Sequence, residues 1–143
     1  MPITDFVGTY TGALAAGYPG MIAESQTIQD VASKVVTTGA VAFGLAVGAG
    51  ATDGTVRLGG TGFEGIAIAD KTRPADSFAV GEVAGVLRKG TIWVTTTTAV
   101  TAGAAVTFTP ATGVIGAALA GAIPNSKFET SGGIGALVRV YLG

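Results

Sequence analysis

The chain has 143 residues, of which 48% are hydrophobic, 12% are charged and 24 are glycine, with a formal net charge of −1. That length allows one domain of ordinary size, or a small domain preceded by an ordered arm. Cysteine and histidine are both absent, which excludes disulfide frameworks, thiol nucleophiles, Ser-His triads and most zinc chemistry.

The charges exclude more. Eight basic residues are scattered along the chain, whereas neutralising a nucleic-acid backbone needs them clustered, so no nucleic-acid partner is expected. So few charges protect a free surface poorly against association, which points to a surface covered by other protein. Residues 35–52 and 90–126 carry no charge. Repeated Gly and Thr, and Pro110 in the second run, keep either from reading as a membrane span.

Residues 1–32 show no sustained period and are expected to form an extended arm. The N-terminus, MPITDFVGTYTG, carries Asp5 and no basic residue ahead of an apolar run, so it is not expected to act as a secretory leader. Gly8, Gly12, Gly17, Pro19 and Gly20 punctuate the arm, and Phe6, Tyr10, Tyr18 and Met21 stand out as isolated large groups. Such a stretch cannot bury a core of its own, and its large residues are the expected anchors on a partner or a sister subunit. Ile28, Val31, Ala32 and Val35 fall at helical spacing, but the β-branched residues that follow pull toward strand.

From residue 33 to 143 the pattern is β. Val83 and Leu87 share one parity, Glu82 and Arg88 the other. Ile92 and Val94 flank Trp93, expected in the core, and a threonine run follows. Ala104, Val106 and Phe108 alternate against Ala105, Thr107 and Thr109. Ile134, Ala136, Val138, Val140 and Leu142 alternate to the end, as a half-buried strand does. Turn signals separate the runs, at Ala51–Gly54, Gly59-Gly60, Pro74, Gly81, Lys89-Gly90, Pro110–Gly113 and Ser131–Gly133. Short strands at this spacing predict an all-β domain, a compact antiparallel barrel or sandwich. Thr37–Phe43, Thr101–Phe108 and Ala79–Val83 echo one another as turn-then-strand phrases too short to define a repeat.

Few residues carry chemistry. Gly59–Gly65 is glycine-rich, but no Gly-Lys-Ser/Thr follows and the next segment alternates like a strand, so a hairpin turn is expected there and not a phosphate loop. Asp70, Lys71, Arg73, Asp76 and Glu82 form the densest charged cluster, around a proline-containing loop. Two carboxylates can serve as an acid and base pair. Mixed signs on such a loop fit a solvated rim or a salt-bridged protein contact better. Arg88-Lys89 is expected to guard a hairpin edge. Nothing here calls for a cofactor or metal, and no enzyme activity is expected.

The succession of phrases carries a resemblance. Phe63–Asp70 is followed by Phe78-Ala79-Val80-Gly81-Glu82-Val83-Ala84-Gly85-Val86-Leu87-Arg88-Lys89-Gly90-Thr91-Ile92-Trp93-Val94, then by Val100–Phe108, then by Ala122-Ile123-Pro124-Asn125-Ser126-Lys127-Phe128-Glu129-Thr130 before the last strand. This order resembles the head decoration, or capsid cement, proteins of tailed bacteriophages. Their pattern runs from a G-[IV]-x-x-x-D strand to a G-x-x-V-x-V-L-x-x-G-x-[IVW]-V hairpin, a G-x-x-V strand, an I-P-x-[AS]-x-[FW]-x-[ST] segment and a final alternating strand. The long threonine run and the excess of Gly and Ala depart from it. The resemblance implies a structural virion protein, made in the host cytoplasm, on the outer surface of the assembled capsid. Its partner would be the major capsid protein, whose capsomer contacts it would cement against the pressure of packaged DNA. It also implies a homo-oligomer, commonly a trimer and sometimes a dimer. On this reading Phe6, Tyr10, Tyr18 and Met21, with Asp70, Lys71, Arg73 and Asp76, are the expected contacts to capsid or sister subunit. A β-rich surface module that binds glycans or another virion protein is the alternative.

Overall fold

A computed structural model describes residues 17–23 and 29–143. Among the described residues every regular element is a strand. Five of them close a barrel: β1 (Asp30–Thr37), β3 (Ala46–Ala49), β4 (Thr55–Leu58), β5 (Phe63–Ala67) and the first half of β7 (Val83–Thr95). The β2 (Val41–Ala42) and β6 (Ser77–Phe78) segments lie between them in the chain. The ring runs β1-β4-β3-β5-β7 and back to β1. Its pairings are antiparallel except β1 with β4, which run parallel. Val31, Ala32 and Val35 thus lie in strand and not helix, with β1 starting at Asp30, while Ile28 lies outside the described residues.

The barrel interior is lined by small residues. Val36, Val47, Val56, Ala67, Ala84 and Val86 form one buried cluster, joined by Val41 and Phe78 from the short β2–β6 ribbon and by Phe43 just after β2. The Phe43 and Phe78 rings meet edge-on at 5.2 Å. Five short strands enclose too narrow a space for many large side chains, so Val and Ala fill it and two phenylalanines complete the packing.

The β7 strand leaves this barrel and enters a second layer. Its residues 90–95 pair with β12 (Leu137–Leu142), which pairs in turn with β11 (Ser126–Phe128). A small sheet of β8 (Thr107–Phe108), flanked by β9 (Ile115–Gly116) and β10 (Gly121–Ala122), completes the layer. Its core unites Ile92, Val94, Phe108, Ile115, Phe128, Val138, Val140 and Leu142 with Ala46, Ile66 and Leu87 from the back of the barrel strands. Strands β3, β5 and β7 are therefore buried on both faces, Val47, Ala67 and Val86 inward and Ala46, Ile66 and Leu87 outward.

Arg88 and Lys89, expected at a hairpin edge, sit instead in the middle of the 13-residue strand β7. Val31 pairs with Leu87 and Asp30 with Lys89, which leaves Arg88 as an extra, unpaired residue. Such a bulge shifts the alternation by one. Ile92 and Val94 consequently share a face with Leu87, while Val86 faces into the barrel.

Gly59–Gly62 is likewise no hairpin, because β4 and β5 pair with opposite edges of β3 and the link crosses over it. The crossing passes directly above Gly48, where a Cβ would lie 2.2 Å from the Gly59 carbonyl oxygen. Only a residue without a side chain fits there. The final strand is shorter than the alternation suggests. Gly135 N–H bonds Thr96 O, Ala136 N–H bonds Gly133 O, and Gly135 has a φ of 81°, so Ile134 caps a tight turn, 81% exposed.

The threonine run explains how such short strands are held. Thr97 Oγ1 donates to Ile115 O, Thr98 Oγ1 accepts from Ala117 N–H, and the buried Thr96 Oγ1 donates to Thr98 O. Thr107 Oγ1 donates to Gly116 O and accepts from Leu119 N–H. Hydroxyl groups thereby satisfy backbone groups that two-residue strands leave without ladder partners.

Candidate functional site

The end of the arm is tied to the barrel. Tyr18-Pro19-Gly20-Met21 forms a turn closed by Met21 N–H to Tyr18 O at 3.0 Å, with Gly20 at a φ of 83°. Proline second and a positive-φ glycine third define a type II turn. Gly20 is wedged where a Cβ would stand 2.7 Å from Ala69 N and 2.9 Å from Phe43 Cβ. Backbone bonds link Gly20 to Trp93 and Ala69, Met21 to Trp93, and Ala23 to Thr91. The turn and the residues after it thus act as a further short strand on the free edge of β7, with Ile22 bridged to Ile92.

Trp93 lies half-buried on the opposite face of β7 from Ile92, its indole close beneath Gly17. Met21 is half-buried, while Tyr18 remains 38% exposed. Phe6 and Tyr10 lie outside the described residues.

The loop from Asp70 to Asp76 meets this turn. Asp70 accepts from Thr72 N–H at 3.1 Å and from Thr72 Oγ1 at 2.6 Å, an Asx-type turn. Arg73 pairs with Glu82 and, at 3.5 Å, with Asp70, while its guanidinium stacks 4.6 Å from the Phe78 ring centroid. Glu82 also accepts from Ala79 N–H at 2.6 Å. Lys71 reaches outward instead, its Nζ 4.4 Å from the Tyr18 ring centroid and 3.6 Å from Asp76. Tyr18, Lys71 and Asp76 therefore share one exposed patch, with Arg73 as the internal strut beneath it. Met21 sits on the far side of the turn, against β7.

Both network carboxylates are held below their ordinary range. For Asp70 the Thr72 side-chain hydrogen bond leads, then the Thr72 backbone bond and the Arg73 charge. For Glu82 the Ala79 backbone bond leads, then Arg73. Each stays ionised near neutral pH and is occupied by these donors, a state suited to fixing a loop and not to donating a proton. Among the described residues no group of three acidic, His or Cys side chains is placed to hold a metal ion.

Two surface features escaped the sequence reading. Val31 and Val83, on the outer face of the β1–β7 pairing, and Val80, in the turn before β7, are each about half exposed. Their β-branched side chains look like ordinary core residues until the strands close into a barrel and leave one face outside. The second layer exposes Thr95, Thr97, Thr101, Ala102, Ala105, Ala111, Thr112 and Asn125, with no charge between residues 90 and 126. The charge-free run was visible in the sequence, but not that so much of it lies at the surface.

The fold is a small β-barrel backed by a second β layer, with Tyr18, Lys71 and Asp76 forming an exposed patch beside the arm's last turn. The family described as structural cement protein (E217 gp24/Pam3 gp6), of phages, matches residues 6–143, and the chain belongs to it. A solved structure titled as the capsid of Myoviridae phage XM1 has a similar fold, with a TM-score of 0.72 at 17% identity, over 92% of this chain and 96% of that one. The head fibre gp8.5 N base of bacteriophage phi29 is similar at a TM-score of 0.53 and 10% identity, over 81% and 95%. Comparison with curated protein sequences finds no match. The protein is a virion structural component that associates with the capsid.

Proposed function

We propose that the protein sits on the outer surface of the assembled head and bridges neighbouring major capsid protein subunits, cementing capsomer contacts against the outward push of packaged DNA. The family match across residues 6–143 carries this reading. A ligand that binds the assembled shell and not its separated subunits stabilises the shell by mass action. The protein acts as a homotrimer made in the host cytoplasm, so several modest contacts act together and hold far longer than one. It performs no catalysis. Phe6, Tyr10 and Met21 of the arm, together with the patch of Tyr18, Lys71 and Asp76 braced by Asp70 and Arg73, form its contacts to capsid and sister subunits.

The test uses heads assembled without the protein. Adding it back should raise the temperature at which filled heads release DNA, and particle imaging should find it outside the shell. Density inside the lumen, or heads equally fragile with and without it, would refute the proposal. Light scattering of the free protein reads the oligomer directly.

A further inference from the structure

The cleft beside Arg57 lies apart from the arm and the charged loop. It opens where β4 ends and the crossover begins, with a volume of about 280 Å³, and is lined by Thr38, Arg57, Leu58, Gly60, Pro110 and Ala111. Its floor is backbone packed on backbone. Gly60 N–H donates to Pro110 O at 2.8 Å, and Gly113 N–H closes the turn around Pro110 by donating to Thr109 O at 2.7 Å. Leu58, Pro110 and Ala111 supply apolar walls.

Arg57 lies over this floor. A Cβ on Gly60 would lie 2.7 Å from Arg57 Nε and 3.1 Å from Nη2, so the guanidinium rests directly on the glycine backbone. The three other arginines each meet a carboxylate: Arg73 with Asp70 and Glu82, Arg88 with Asp30, and Arg139 with Glu129. Among the described residues Arg57 makes no such pair. A guanidinium already seated, with its donor edge unmatched and apolar walls beside it, complements a planar carboxylate on a protein surface. A phosphate backbone would call for several cations together, and the cleft offers one.

We propose that this cleft receives an Asp or Glu side chain of the major capsid protein, paired to Arg57. The proposal rests on the capsid-binding reading above and names a chemical contact within it. The test measures co-sedimentation of the full chain with heads assembled without it, at low and high salt, for wild type, Arg57→Lys, Arg57→Ala and Arg57→Glu. Loss of the pair in Arg57→Ala should weaken binding about 10-fold, the scale of one charge-assisted hydrogen bond. Arg57→Glu should be weaker still through like-charge repulsion, and Arg57→Lys intermediate, because an ammonium lacks the two-pronged geometry. Arg57 is exposed, so unchanged melting temperatures should accompany these losses. Wild-type binding matched by Arg57→Glu would overturn the cleft assignment alone. Failure of wild type to bind any head would instead overturn the capsid-binding reading, and the cleft assignment with it. A change in the solution mass of free Arg57→Glu would place a second copy of this chain in the cleft and overturn the assignment to capsid.

Discussion

The two cores on either side of β7 solve the same problem by opposite means. The barrel core is closed by strands that form a ring, so small side chains suffice and backbone ladders supply the order. The second-layer core is roofed by strands of two to six residues, and there large side chains and threonine hydroxyls take over. Phe108, Phe128, Ile115 and Leu142 are buried to within 2%. The difference teaches that a low-complexity sequence rich in Gly, Ala and Thr can still specify a unique fold. It needs one long strand shared by both cores, and a single bulge to turn its apolar residues from one core to the other.

The largest expected effect lies in the second layer. Phe128→Ala removes a fully buried ring and should cost about 3–5 kcal/mol, as phenylalanine truncations in cores do. Urea unfolding measures the loss. A single transition means that the two cores unfold together through β7, whereas two separated transitions would break the picture of one shared strand. Gly48→Ala sets a methyl against the crossover carbonyl and should cost about 1–3 kcal/mol, the range for overpacking, read by the same method. An unchanged midpoint would mean that the crossover can lift away.

A smaller effect is expected from the arm. Gly20→Ala forces a residue with a side chain into a positive-φ position against Ala69 and should cost about 1–2 kcal/mol. Deletion of residues 1–23 should likewise lower the melting temperature, and by more than deletion of 1–16 does. Equal melting temperatures for both truncations would show that Gly20–Ala23 adds nothing to the barrel. Smallest is the pH effect of the charged loop. Asp70 and Glu82 have depressed folded pKa values, so their contribution is full above the ordinary carboxylate range and disappears as pH falls through the lowered values. Asp70→Asn should lower stability slightly at neutral pH and remove its share of the acid loss, so that the two stability curves converge below about pH 4. A parallel curve for the variant would show that this carboxylate is not linked to folding.

Much of this was legible in the chain. Alternation announced strand around Val83–Leu87, around Ile92–Val94 and toward the end of the chain from Ile134, and the missing Cys and His, with the sparse charge, directed attention to a surface bound by protein. The succession of glycine turns and strands was enough to resemble a family that the whole-chain match then established. Local pattern fails where strands exchange partners. A glycine pair reads as a hairpin whether the chain turns back or crosses over, and Arg88-Lys89 looks like an edge because their charges cannot report a bulge in mid-strand.

Alternation of side chains is a local property, set by the two-residue period of a strand, and the sequence by itself therefore determined an all-β protein. Which face of each strand meets which core, where the arm's last turn docks, and which arginine lines the cleft beside Pro110 depend on contacts between residues far apart in the chain. Those contacts exist only once five strands have closed on themselves, and tertiary structure alone decided them.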